Sequence, residues 1–354
     1  MIFIRFKQSL LAKRTYLGKQ AQHICFSTLG SITITTMYPE IDPFYTHMLP
    51  VGTGHSIYVE RSGRKGGCPI FFIHGGPGSR TLATHRRYFD PDFYDIVLFD
   101  QRGCGQSEPL GEVQGNDLAF LVEDINAIRA ELKIDQAINL FGGSWGSTVA
   151  LAYAMSYPDK VQELILRGVF LGSEREVKWF TNGVSRFAPK AWELFSANSK
   201  GKLLDYYYEA VNSNEQAIAL AAARSWCEYE ARLMRIGASE HVQNTPISLP
   251  SDEQLLARVR IQLHFLHNRC FLKDNQLMTM AYQLKNPVTI VQGEQDFICP
   301  PSTAYQLHQQ LPHSTLRLIP GEGHNAVGTS LAQVLCDETD QLRDRIRMKD
   351  EPAF

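Results

Sequence analysis

The segment Gly142-Gly143-Ser144-Trp145-Gly146 constrains this chain more than any other. It follows the apolar run Ala137-Ile138-Asn139-Leu140-Phe141 and precedes Ser147-Thr148-Val149-Ala150-Leu151-Ala152-Tyr153-Ala154, a run with helical character. A strand that becomes a helix across so short a turn has space only for small residues two places before and after the central one. Gly142 and Gly146 supply that space. The pattern predicts a sharp strand-turn-helix with Ser144 exposed at the head of the helix. It also places the Trp145 amide where it could donate to a negative charge developing beside the serine.

The rest of the chain sets bounds on what such a turn could serve. Its 354 residues suffice for one large domain with an insertion, or for two domains. With 44% hydrophobic and 20% charged residues the composition is that of a soluble globular protein. A net charge of -2 points to neither nucleic acid nor an anionic membrane. No apolar run approaches the roughly 18 residues of a membrane helix. The seven cysteines are scattered, odd in number and without C-x-x-C spacing. That usage argues for a reducing compartment, here the cytoplasm, and against structural zinc. Residues 1–37 stand apart: Arg5, Lys7, Lys13, Arg14 and Lys19 occur there without one acidic residue. Their composition is similar to that of an organellar presequence, but the expectation is a disordered or non-native leader, with a start at Met37. They are left out of the fold argument.

Beyond the leader, short apolar runs alternate with helical spacing. His55-Ser56-Ile57-Tyr58-Val59-Glu60 alternates, as an antiparallel strand does. Pro69-Ile70-Phe71-Phe72-Ile73 and Tyr94-Asp95-Ile96-Val97-Leu98-Phe99 read as buried parallel strands. Residues 116–132 have helical spacing, with Leu118, Leu121, Ile125, Ile128 and Leu132 on one face. Further strands are expected at 161–168, 288–293 and 315–319, and a closing helix at 331–348. This predicts an α/β chain with a doubly wound, mostly parallel sheet. Residues 173–285 break the pattern. They are rich in aromatic residues and lack strand alternation, which predicts a helical cap between core segments 38–172 and 286–354. Most of the cap's rings are expected to form its own core.

A serine hydroxyl needs a base and an orienting acid to act as a nucleophile. Asp296 follows the strand at 288–293, and His324 follows the strand at 315–319 within Gly321-Glu322-Gly323-His324. Both fall on loops at strand ends, where ligands bind in open α/β sheets. The order Ser, Asp, His is that of α/β-hydrolases. His324 is expected to take the proton of Ser144, and Asp296 to hold the imidazole. Glu294 is a competing acid, and His308 and His313 are competing bases. His74-Gly75-Gly76-Pro77-Gly78 follows another strand, and glycine permits close backbone approach. The Gly76 amide is expected to complete an oxyanion hole with that of Trp145. Asp100-Gln101-Arg102-Gly103-Cys104-Gly105-Gln106-Ser107 reads as a structural turn whose Asp100 and Arg102 bond neighbouring loops.

Taken together, His74 to Gly78, Asp100 to Ser107, Gly142 to Ala154 and Gly321 to His324 resemble the prolyl aminopeptidases (proline iminopeptidases), serine peptidases of the α/β-hydrolase fold. The likeness runs from Tyr38 to the C-terminal helix. It implies release of an N-terminal proline from peptides, without metal or organic cofactor. It also implies a cap pocket that holds a compact ring and pairs a cationic imino group. Within Trp226-Cys227-Glu228-Tyr229-Glu230, Glu230 takes the place of the family's carboxylate, and Phe170 and Phe180 match its pocket aromatics. Two positions depart: Gln262 stands where a second glutamate is expected, and Leu266 where an aromatic is expected. An amide cannot neutralise a cation. Glu253 lies near enough in sequence to be weighed as a replacement. The same residues fit an esterase or amidase acting on small acyl compounds. They fit less well a non-catalytic binding protein, since such a protein would not need the full Ser, Asp, His set.

Overall fold

The computed structural model describes residues 37–236, 246–326 and 329–350, without the side chain of residue 350; the leader before Met37 lies outside the described residues. Its centre is a sheet of eight strands: β1 (Tyr45–Gly52), β2 (His55–Gly63), β3 (Cys68–Ile73), β4 (Tyr94–Phe99), β5 (Ile138–Gly143), β6 (Val161–Arg167), β7 (Val288–Gly293) and β8 (Ser314–Ile319). They lie in the order β1-β2-β4-β3-β5-β6-β7-β8. β1 pairs antiparallel with β2, and β2 with β4; all other neighbours are parallel.

The two-residue period of a strand explains why this sheet is covered on both faces. Phe71, Ile73, Val97, Phe99, Leu140, Leu164 and Ile290 point into one core. Their neighbours Ile70, Phe72, Ile96, Leu98, Phe141, Ile165 and Val291 point into the other. The first core is closed by α1 (Leu118–Glu131) and α2 (Trp145–Ser156). α1 starts two residues later than the apolar spacing suggests, because the Asp117 side chain caps it by accepting the Phe120 amide at 3.0 Å.

Between β6 and β7 every regular element among the described residues is helical. They are α3 (Glu174–Thr181), α4 (Pro189–Ser196), α5 (Leu203–Val211), α6 (Gln216–Leu233), α7 (Asp252–His267) and the short α8 (Gln276–Met280), with single 3-10 turns. Ser173 opens this stretch through a capping box. Its hydroxyl faces the Glu176 amide, while the Glu176 carboxylate accepts the Ser173 amide at 3.0 Å. The aromatics expected to give this stretch a core of its own do cluster, but Phe180, Phe195, Tyr207, Trp226 and Tyr229 are continuous with the core on one face of the sheet, and Phe187 is exposed. Phe195 stacks on Tyr229 at 3.9 Å between ring centres and on Tyr207 at 4.6 Å, with Trp226 and Phe180 edging the same group. After β7 come α9 (Pro301–Gln310), β8 and α10 (Ser330–Asp350). Leu331, Leu335, Leu342 and Ile346 of α10 seal the second core. No helix among the described residues is long and apolar enough to cross a membrane.

Candidate active site

The turn between β5 and α2 has the strain its sequence predicts. Ser144 sits at φ 57° and ψ -122°, in a region that a residue with a side chain seldom occupies. A Cβ on Gly142 would lie 2.4 Å from the Gly146 carbonyl oxygen, and one on Gly146 would lie 2.0 Å from that of Ile73. Neither could be accommodated, so both glycines are set by contact. The Ser144 amide donates to the Arg167 carbonyl at the end of β6 (2.8 Å), which fastens the turn to the sheet. Trp145 is the first residue of α2, so its amide has no partner within the helix.

Asp296 and His324 arrive from the ends of β7 and β8 and meet. His324 Nδ1 lies 2.7 Å from Asp296 Oδ2, with the two residues 5% and 3% exposed. The carboxylate accepts three more hydrogen bonds: from Gln292 Nε2 (3.1 Å), the Ile298 amide (3.0 Å) and the Cys299 amide (2.8 Å). A carboxylate so surrounded is fixed in place, and it draws the imidazole proton to Nδ1, leaving Nε2 to receive another. The Arg167 guanidinium donates to the His324 carbonyl at 2.5 Å, so β6 supports both serine and histidine. The competing groups lie elsewhere: Glu294 and His313 are exposed, and His308 bonds Ser314 at 2.8 Å.

The loop after β3 is held by a network that starts inside the core. The buried Trp145 indole donates to Gln101 Oε1 (2.9 Å), and Gln101 Nε2 donates to the His74 carbonyl (2.8 Å). The Gln101 amide donates to His74 Nε2 (3.0 Å), so the ring proton is on Nδ1, which donates to the Gly75 carbonyl (2.9 Å). Burial lowers the pKa of this imidazole, consistent with a neutral structural ring. A Cβ on Gly75 would lie 3.2 Å from Ser144 Cβ, so this loop passes directly over the serine. Gly76 adopts φ +120°. The neighbouring Asp100–Ser107 segment has the structural part expected of it. Asp100 accepts from the Thr81 amide (2.6 Å) and the Gln106 amide (2.8 Å), and Arg102 makes two 2.7 Å bonds to buried Asp124.

A cavity of about 260 Å³ joins these parts to the helical insertion. That is near the lower end of the ~300–1,000 Å³ usual for ligand pockets, and suits a small group. Gly76, Ser144 and His324 line it with Phe170, Phe180, Glu230, Gln262 and Leu266. Gln262 and Leu266 both stand in its wall. Glu253 is exposed and supplies no second carboxylate. Glu230 carries two partners: Arg258 Nη2 donates to Oε2 at 2.5 Å, and Gln262 Nε2 donates to Oε1 at 3.1 Å. The Trp226 indole, donating to Gln262 Oε1 at 3.1 Å, sets the direction of that amide.

Several lining residues escaped sequence reasoning. Cys299 Sγ is 4.0 Å from Ser144 Oγ, and burial beside Asp296 and Glu176 pushes its thiol well above the ordinary range. His85 stacks on Phe72 at 4.3 Å, and burial holds its pKa at about 3. Glu176 reaches the cavity too, with its pKa raised by desolvation, but its oxygens serve the start of α3 and the Leu171 amide. None of these three is marked as a lining residue by a local sequence pattern. Among the described residues no cluster of His, Cys, Asp and Glu suits a metal ion.

The sheet order, the strained serine turn and the Asp-His pair at strand ends define an α/β-hydrolase. Residues 69–330 match the family model described as "alpha/beta hydrolase fold". A probable proline iminopeptidase of Leptolyngbya boryana is 39% identical over 313 residues, covering 86% of this chain and 96% of that protein. The proline iminopeptidase of Arabidopsis thaliana is 40% identical over 314 residues, covering 86% and 81%. That of Neisseria gonorrhoeae is 34% identical over 319 residues, covering 88% and 100%. Among solved structures, a proline iminopeptidase-related protein of Thermus thermophilus superposes with a TM-score of 0.56 at 21% identity, covering 84% of this chain and 96% of that one. At that identity the likeness speaks for the fold. The chain belongs to the proline iminopeptidase family of the α/β-hydrolases.

Proposed function

We propose that this protein is a serine aminopeptidase that releases an N-terminal proline from peptides through an acyl-enzyme. The observation that carries the reading is one small cavity lined by a strained serine, by the histidine of a buried His-Asp pair and by a carboxylate on a helix of the insertion. The names of the relatives support the same substrate. Ser144 attacks the carbonyl of the first residue while His324 Nε2 takes its proton. Asp296 holds the ring and stabilises the imidazolium. The amides of Gly76 and Trp145 receive the oxyanion. His324 then protonates the leaving amine, and water enters by the same route in reverse. Every proton moves between the serine hydroxyl, the His324 imidazole, the leaving amine and water, so the chemistry calls on no metal or organic cofactor.

Residues 173–285 act in this reading as a cap on a core made of 38–172 and 286–354. By closing the cavity the cap limits access to chain ends. Phe170 and Phe180 flank the ring, and Glu230 meets the imino cation with Gln262 and Leu266 completing the wall. The partners are peptides with a free N-terminal proline, not nucleic acid or membrane. The five buried thiols at 104, 227, 270, 299 and 336 suit the cytoplasm.

Rates for a proline arylamide and its N-acetylated form test the reading. The free form is expected to react much faster, and equal rates would return the protein to the esterase and amidase class, which the losses at Gln262 and Leu266 favour. Ser144→Ala is expected to lower turnover by at least about 10³-fold. Retained turnover would rule out the assigned nucleophile.

A further inference from the structure

We infer that Arg258 sets the substrate's cation affinity by occupying Glu230, so that the imino group must displace a resident guanidinium before it can bind. This rests on the aminopeptidase reading and deepens it, by making a residue outside the family motifs a determinant of specificity.

Glu230 is buried, and both its oxygens are engaged. Gln262, donating to Oε1, adds no charge, whereas Arg258, bonded to Oε2, cancels the charge that a cation would seek. The balance of the whole cavity points the same way. Three arginines line it (Arg80, Arg167 and Arg258) against two glutamates, Glu176 and Glu230. Glu176 is committed to capping α3. A cation entering this site therefore gains little from the field until the guanidinium moves away.

Arg258 is placed to do so. Its backbone is fixed in α7, where its carbonyl packs on the oxyanion-loop glycine Gly78. Its side chain is 30% exposed, against 8% for Glu230, so a path toward water is open. Among the described residues its guanidinium makes one hydrogen bond, to Glu230, and Nε has no partner. A competing cation thus has one contact to replace.

The test reads cation binding without peptide cleavage. Pyrrolidine carries the ring and charge of an N-terminal proline but no scissile bond, and tetrahydrofuran carries the ring without the charge. Both are titrated as inhibitors of p-nitrophenyl acetate hydrolysis, and the ratio of their inhibition constants is compared within each variant. Arg258→Met is expected to shift the ratio at least about tenfold in favour of pyrrolidine, because Glu230 is then uncompensated. Arg258→Lys, which keeps the charge, is expected to stay near the unmodified protein. Arg258→Gln serves as a second neutral variant should Arg258→Met fold poorly. An unchanged ratio in the neutral variants, or a shift toward tetrahydrofuran, overturns the inference. If the ratio shifts as expected but proline arylamide is not cleaved by any variant, the resident-cation inference stands and the aminopeptidase reading fails.

Discussion

At the residue scale, the site is a set of polar groups, each given one state by its neighbours. Asp296 accepts from four donors and presents one oxygen to His324. Replacing it by Asn removes the acceptor that keeps the imidazole proton on Nδ1. Asp296→Asn is expected to lower kcat by about 10³–10⁴-fold, read from arylamide hydrolysis. A loss below tenfold would take the orienting role away from this residue. Cys299 shows the opposite adjustment. Burial, and then the charges of Asp296 and Glu176, disfavour its thiolate, so the group remains a thiol through neutral pH and past its ordinary value of 9.0. Iodoacetamide at pH 8 is expected to leave Cys299 unlabelled in the folded protein, by peptide mass analysis, and to label it once the chain is unfolded. Rapid labelling of the native protein would mean that a lowered pKa had been missed.

At the element scale, each loop that carries a candidate catalytic group is tied to an element other than its own. The loop after β3 takes its shape from α2, through the Trp145 indole and Gln101 to the His74 carbonyl and ring. Gln101→Met keeps the volume and loses the two side-chain bonds, to the Trp145 indole and the His74 carbonyl, while the backbone amide still meets the His74 ring. The substitution is expected to reduce kcat by up to about 10²-fold with a smaller change in KM, since a misplaced donor at the proposed oxyanion position would act on the transition state. A pure KM effect would contradict that path. The loop after β7 is tied to the segment that follows β6 through Gln292 of β7, which accepts the Val169 amide at 3.1 Å and donates to Asp296. Much of the element scale was open to sequence reasoning. The apolar runs of β3 and β4 announced strands buried on both faces, and the glycines around Ser144 announced the turn. The edge strand β1 has no clear signal in the sequence: its burial is mixed and it contains Pro50, which an edge position tolerates.

At the scale of the molecule, the helical insertion and the sheet meet around the cavity. Gly78, at φ +88°, lies so close to α7 that a Cβ there would fall 2.2 Å from the Arg258 carbonyl oxygen. Gly78→Ala is expected to push α7 from the loop, lowering Tm and raising KM for proline arylamide together. An unchanged KM with lowered Tm would show that this seam serves stability alone.

What the sequence determined by itself is local or periodic: a serine in a turn that only glycine permits, an acid and a histidine each following a strand, and helices between the strands. These are legible because neighbours along the chain, or a repeat of two or four residues, create them. What only the tertiary structure decided is which distant groups share one small volume. Arg258 and Glu230 come from different helices, α7 and α6, and nothing in either helix announces that their charges will cancel. Arg167, Gln101 and Cys299 likewise carry no local mark. Their significance arises from burial beside a carboxylate, a carbonyl or a serine that the fold alone brings within reach.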